Sequence, residues 1–263
     1  MTTLLVFIGI GALAGVFAGM LGVGGGLVVV PLLASTFYQL GFPSNILIHL
    51  AIGSSLASMV VTTFFSTWSH HRNGVVMLPT FKLMAGGVVL GSIIGPIIAS
   101  FFHSTLLGVA FGVFAILVAL QIFFNVEWRA KPGEPDDGVT RRFSLVIGMV
   151  SSMLGIGAGS MGVPFLLSYR KMSIHQAVGN TAALSFAIAL VGALTYYFTG
   201  VQEPDTPAWA TGYIYWPAVL GVSLGSPLSA WGSANAAHLL PIGILRRIFA
   251  VFLFVVGIRM LFF

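Results

Sequence analysis

Hydrophobic residues in this chain come in long blocks broken by short polar connections. Apolar runs fall at about 4–40, 46–68, 78–101, 104–124, 143–169, 174–199, 212–234 and 241–263. A transmembrane helix needs about 20 apolar residues, and most runs are long enough. Two of them, the first and the fifth, do not read as simple spans. One helix over 4–38 would extend about 52 Å against a hydrocarbon core of about 30 Å, so it must bend or reverse. Gly22, Gly24, Gly25 and Gly26, with Pro31 five residues on, are the expected break. The fifth run breaks at Gly155, Gly157 and Gly159, with Pro164 beyond. Only residues 143–154 precede that break, too few to span, so 143–169 is expected to form a re-entrant hairpin rather than a crossing.

The two broken runs are related. MLGVGGGLVVVPLL at 20–33 and MLGIGAGSMGVPFL at 153–166 share 8 of 14 positions. His49-Leu-Ala-Ile-Gly-Ser-Ser aligns with His175-Gln-Ala-Val-Gly-Asn-Thr, and Leu90, Gly91 and Gly95 match Leu220, Gly221 and Gly225. The chain therefore divides into a first membrane repeat (1–124), a polar linker expected in the cytoplasm (125–142) and a second membrane repeat (143–263). The expected fold is an all-α polytopic membrane protein of two repeats, each a broken, re-entrant helix followed by three transmembrane helices.

Composition agrees: 57% of the 263 residues are hydrophobic and 6% charged, far below the quarter or so of charged residues in soluble domains. This excludes a soluble enzyme, a nucleic-acid binder and a disordered chain. The net charge of +5 comes from 11 Lys and Arg in the connections, where they orient a membrane protein. If every run crosses, they divide seven to four. If runs one and five are re-entrant, they divide ten to one, with Arg259 alone on the side of the Glu203–Asp205 loop. The second division follows the positive-inside rule, and it inverts the two repeats. There is no cysteine, which excludes disulfides and thiol chemistry. Nothing marks the first apolar stretch as a cleaved signal peptide. The 11 Trp and Tyr lie near run ends, Tyr196 among them, as interfacial anchors do.

Because no Asp or Glu lies within a span, a site at mid-membrane must be built from neutral groups, which argues against a metal-cation carrier and a carboxylate proton relay. Half-helices starting after Gly26 and Gly159 would point positive dipole ends inward and offer N–H groups to an anion. Gly11, Gly15 and Gly19, and Gly87, Gly91 and Gly95, are spaced for helix packing instead. Ser54, Ser55, Asn180 and Thr181 follow glycines (Gly53, Gly179) that would let them approach the broken helices. They either donate to ligand oxygens or bond their own helix carbonyls. His49 and His175, near the starts of their helices, either couple protons or contact an anion, or sit at the interface bonded to backbone or water. Ser173 and Gln176 are placed for a capping box. Gly159-Ser160 is a weak signal for a nucleophile, with no acid to orient a histidine.

The doubled pattern LGVGGGLVVVP with AIGSS, then LGIGAGSMGVP with AVGNT, resembles the sulfite exporter TauE/SafE family across nearly the whole chain. The resemblance implies a transporter, not an enzyme, that moves a small sulfur-containing anion such as sulfite, sulfoacetate or a sulfonate across the bacterial inner membrane by alternating access. It implies Gly24, Gly25, Gly26, Ser54, Ser55, Gly157, Gly159, Asn180 and Thr181 as cavity lining. Ser160 joins this candidate substrate-binding set, with Pro31 and Pro164 as helix-break residues. No metal or cofactor is expected. The expected partners are a small anion and the bilayer, with no nucleic acid, and a homo-oligomer is compatible. The rival readings are a passive anion channel and an intramembrane enzyme.

Overall fold

The computed structural model describes residues 2–21, 25–124, 134–236 and 242–262. Gly22, Gly24, the linker positions 125–133 and His238 lie outside the described residues. The elements are α1 (Thr2–Leu21), α2 (Gly26–Gln39), α3 (Leu47–Arg72), α4 (Leu78–Ser100), α5 (Ser104–Phe123), α6 (Asp137–Leu154), α7 (Gly159–Ser168), α8 (Ile174–Gly200), β1 (Ala210–Thr211), β2 (Ile214–Tyr215), α9 (Trp216–Ala236) and α10 (Ile242–Met260). Among the described residues, α3, α4, α5 and α8 are by themselves long and apolar enough to cross a membrane. This is a helical, multi-pass membrane protein.

Each broken run folds back on itself. The end of α7 returns to the start of α6: Asp136 N–H donates to Tyr169 Oη at 3.1 Å, and Arg170 pairs with Asp137 at 2.7 Å. Between them Phe143 stacks on Phe165, ring centroids 4.3 Å apart. In the first half Phe7 of α1 lies edge-on to Phe37 of α2 at 6.2 Å, so this run also returns toward its origin.

Helix α6 starts at Asp137, six residues before the apolar run it belongs to. Hydropathy alone reads Asp-Gly-Val-Thr-Arg-Arg as linker. The helix forms because Asp136 caps it, accepting from Gly138 N–H at 2.6 Å, and because Asp137 places a carboxylate at the positive end of the dipole. Its 18 residues give about 27 Å of helix. The ladder of β1 and β2, four residues in all, was not expected either, since two-residue strands carry no periodic signal.

Glycines set the helix packing. A Cβ on Gly11, Gly15 or Gly225 would strike the backbone of the facing helix in the α1–α9 pair, and one on Gly87, Gly91, Gly95 or Gly148 would do so in the α4–α6 pair. Gly11 meets Val222 and Gly15 meets Ser226, so α1 and α9 run parallel; Gly87 meets Arg141 and Gly95 meets Met149, so α4 and α6 do too. Close approach of backbones takes the place of the hydrophobic effect, which vanishes between helices in lipid. At the centre α3 and α8 run antiparallel, with Gly53 against Tyr196, Leu56 against Gly192 and Phe64 against Phe186. Tyr196 is no interfacial anchor: it is fully buried, and its hydroxyl donates to the Met153 carbonyl at 3.0 Å.

Neighbouring glycines give an internal control. Nothing lies within 4 Å of a Cβ built on Gly86, whereas one on Gly87 meets the Arg141 carbonyl oxygen at 2.8 Å and Leu145 N at 3.0 Å. Gly87→Ala is expected to destabilise the detergent-solubilised protein by about 1–3 kcal/mol, the usual cost of overpacking. Gly86→Ala should leave thermal unfolding unchanged or slightly raised.

Candidate functional site

The two breaks meet. A Cβ on Gly26 would overlap the Gly155 carbonyl oxygen and sit 2.8 Å from Ile156 Cα. Gly155 ends α6 at φ +72°, a left-handed conformation that favours glycine, and Ile156 N–H donates back to the Ser151 carbonyl at 2.9 Å. A side chain at Gly155 would also press on Val30 and Ile52. Residues 155–160 are all buried. The prolines do not mark the breaks. Pro31 lies inside α2 and Pro164 inside α7, each five residues past the helix start. The second run opens at Gly155, whose positive φ other residues avoid. Pro31 and Pro164 remove one ladder bond each within a helix that neighbours hold in place.

Most of the polar groups freed by the second break are satisfied. Ser55 of α3 donates to the Gly155 carbonyl at 3.0 Å, and Ser151 to that of Gly157 at 3.4 Å. The Ala158 N–H donates to Ser185 Oγ of α8 at 2.9 Å. Ser160, the second residue of α7, is buried with its hydroxyl unpartnered among the described residues. Asn180, fully buried on α8, donates to the Gln176 carbonyl at 2.9 Å, while its Oδ1 has no partner. Helix α7 packs along α8, and a Cβ on Gly162 would touch the Thr181 methyl at 2.8 Å.

The remaining candidates divide. Gly25, Gly26, Ser55, Gly157 and Gly159 border the breaks, and a side chain at Gly157 would meet Ser185 and Met59. Thr181 turns its hydroxyl back to the Ala177 and Val178 carbonyls. Ser54 is engaged elsewhere, accepting from the Tyr215 N–H at 2.9 Å. Gly53 gives close approach not to a broken helix but to the Tyr213 backbone, and Gly179 does the same for Val75. Sequence-equivalent glycines thus seat the segments that follow α3 and α8.

His49 and His175 are unlike. His49 is buried, its Nε2 3.1 Å from the Ala99 carbonyl oxygen, and its ring stacks on Tyr213 at 4.9 Å. His175 is exposed at the start of α8, where Ser173 and Gln176 form the expected capping box. Burial, then the neighbouring Glu203 carboxylate, pushes the Tyr213 phenol up to about 12. It therefore stays protonated at neutral pH and donates to Glu203 Oε2 at 3.3 Å.

Ser185, Ser151, Met59 and the 210–215 turn were missed by sequence reasoning. Ser185 follows Thr181 by four residues and so shares its helix face, a signal that could have found it. Met59 occupies the Ser185 position in the first repeat's alignment. Among the described residues no three His, Cys, Asp or Glu side chains could hold a metal ion. The break offers uncharged donors to a ligand.

The family model for the sulfite exporter TauE/SafE matches residues 7–260. The chain belongs to this family. A "Probable membrane transporter protein" of Haemophilus influenzae is 32% identical over 98% of both chains. YdhB of Bacillus subtilis, also a "Probable membrane transporter protein", is 28% identical over 92% of both. A third of that description, MJ0441 of Methanocaldococcus jannaschii, is 25% identical over 78% of this chain and 73% of its own. No solved structure matches. The protein is a membrane transporter of the TauE/SafE type and not an enzyme.

Removing the Ser185 hydroxyl would leave the Ala158 N–H buried and unpaired, which costs about 1–3 kcal/mol. Ser185→Ala should therefore lower thermal stability in detergent, and Ser185→Thr, which keeps the acceptor, should restore most of it.

Proposed function

We propose that this transporter exports a small sulfur-containing oxyanion, such as sulfite, sulfoacetate or a sulfonate, across the bacterial inner membrane by alternating access between two inverted repeats. The observation that carries the reading is the start of α2 at Gly26 meeting the buried, uncharged break at 155–158, with a Ser160 hydroxyl beside that break that has no partner among the described residues. First-turn N–H groups of a helix lack intrahelical acceptors, and their dipole favours a negative ligand. Ser160 adds a hydroxyl donor at that turn. Asn180 Oδ1, an acceptor, suits the hydroxyl of a protonated oxyanion or a bound water.

The pairing of helices supports the inversion. Helix α1 lies on α9 as α6 lies on α4, so each hairpin rests on the fourth helix of the other repeat. The end that bears Asn45, bonded to Asp205 at 2.8 Å, is the outer one on the ten-to-one charge division, and Asp137 with Arg170 marks the cytoplasmic end. The outer end is closed by residues 201–215. Tyr213 covers His49, and Tyr215 packs on Phe7, Phe37 and Phe42. Transport requires this segment to lift while the hairpins rock. A membrane potential negative inside favours anion exit by about 2.3 kcal/mol per charge per 100 mV, so export needs no coupling ion.

Ser160→Ala separates binding from folding. It removes a buried hydroxyl that bonds nothing in the protein, so stability should hold or rise. Loss of a hydrogen bond to a charged ligand should weaken saturable sulfite or sulfoacetate flux in proteoliposomes by about ten- to a hundredfold. Undiminished flux would overturn the site, and flux that never saturates with substrate would favour a passive channel.

Sidedness is tested on a chain that has no native cysteine. Glu134→Cys should react with an impermeant thiol reagent only from the cytoplasmic side, and Asp205→Cys only from outside. Labelling of both from one side would refute the inverted arrangement.

A further inference from the structure

A recess lies away from the helix breaks, at the end of the bundle that carries the Asn45–Asp205 bond. It is a cavity of about 470 Å³, walled by the last turn of α2, the loop after it, the starts of α3 and α5, and the end of α10. Among the described residues its polar lining is the Arg259 guanidinium with the hydroxyls of Tyr38, Ser44 and Ser104. Ser104 is buried and accepts the Ile48 N–H at 2.8 Å, which leaves its own proton to donate. The adjoining acid, Asp205, is held by the Asn45 amide next to Ser44. Leu47, Ile48 and Phe262 supply the apolar wall.

A cation in the last turn of a helix complements the dipole, and Arg259 does that for α10. That role does not require a cavity built of hydroxyls around it. The first residues of α3 and α5 also face the recess, so two positive helix ends add to the guanidinium. Size and lining match a small-ligand site, apolar walls with a few convergent donors.

We propose that this recess binds a singly charged tetrahedral oxyanion, of the kind a phospholipid phosphodiester presents. Large apolar residues of the two helices that flank it, Leu106 on α5 with Val255 and Ile258 on α10, are exposed, a surface along which acyl chains can lie. The seam between α5 and α10 is close-packed, with a Cβ on Gly112 falling 2.7 Å from the Gly257 carbonyl oxygen. A lipid headgroup seated at its outer end would bridge the fifth helices of the two repeats. The site is separate from the helix breaks, and its failure would leave the transport reading standing.

The test is native mass spectrometry of the full chain, purified in a neutral detergent, with dioleoyl-phosphatidylglycerol added in one arm and inorganic phosphate in another, each alongside a thermal-shift measurement. Retained phosphatidylglycerol adducts are expected, reduced about tenfold or more by Arg259→Gln and largely kept by Arg259→Lys, because a hydrogen bond to a charged group is worth at least that factor. Protection by inorganic phosphate that also depends on Arg259 would make a free anion the occupant and still support the site. Should Arg259→Gln not fold, Ser44→Phe fills the recess from the loop and must abolish the adducts. Equal adducts and equal shifts in the wild type, Arg259→Gln and Ser44→Phe proteins would overturn the proposal.

Discussion

Hydrocarbon offers no water to an opened backbone, so a helix can break inside a membrane only where something else takes up its N–H and C=O groups. Here serines of α3, α6 and α8 take up the groups opened at 155–158, and the start of α2 packs directly on that break. Gly26 touches the Gly155 carbonyl and the Ile156 Cα, contacts that any side chain would prevent. The contact in turn depends on the helices that carry the hairpins. Helix α6 lies close enough to α4 only because Gly87, Gly91, Gly95 and Gly148 lack side chains, and α1 reaches α9 through Gly11, Gly15, Gly221 and Gly225. Packing by small residues, hairpin placement and satisfaction of the open backbone are thus one constraint met at three levels.

The two halves differ in what their polar residues do. In the second hairpin Ser185 accepts the Ala158 N–H, while the aligned residue of α3 is Met59, a thioether that reaches over Gly157. Ser54 is committed to the Tyr215 backbone, but Asn180, its counterpart, bonds only its own helix and leaves Oδ1 unpaired. The segments seated on these helices differ as well. Five residues separate α3 from α4, whereas α8 and α9 are joined by a longer segment with its own strand ladder and the Tyr213–Glu203 hydrogen bond. On an alternating-access reading, the two ends of the transporter therefore open against different barriers.

The sequence made the fold-back of the two broken runs legible through their glycine breaks, together with the division of Lys and Arg among the connections. It made the packing glycines legible through their spacing of four. What stayed hidden has common causes. A lone serine in an apolar helix, such as Ser185, carries no pattern until a partner N–H is known. Tyr196 at a run end looks like an anchor until its hydroxyl is found bonded to Met153. Pro31 and Pro164 look like breaks by local rules, yet each is absorbed within a short helix because tertiary neighbours outweigh one missing hydrogen bond. The start of α6 was hidden because capping and the Arg170–Asp137 pair stabilise polar residues that hydropathy discards.

A neutral site has a mechanical consequence for a carrier. A buried arginine would bind an anion tightly and then, once the anion left, stand uncompensated in low dielectric, at a cost of several kcal/mol. That cost would oppose return of the empty protein. Helix-end N–H groups and a serine hydroxyl carry partial charges only, so the empty site is expensive to a lesser degree, about 1–3 kcal/mol for an orphaned hydroxyl. The Ser160 Oγ, unpaired among the described residues beside a break where Ser55, Ser151 and Ser185 all find partners, fits a group held ready for a ligand that must also be let go. A fixed charge would gain affinity at the expense of turnover, and among the described residues no Lys or Arg lies at the 155–158 break.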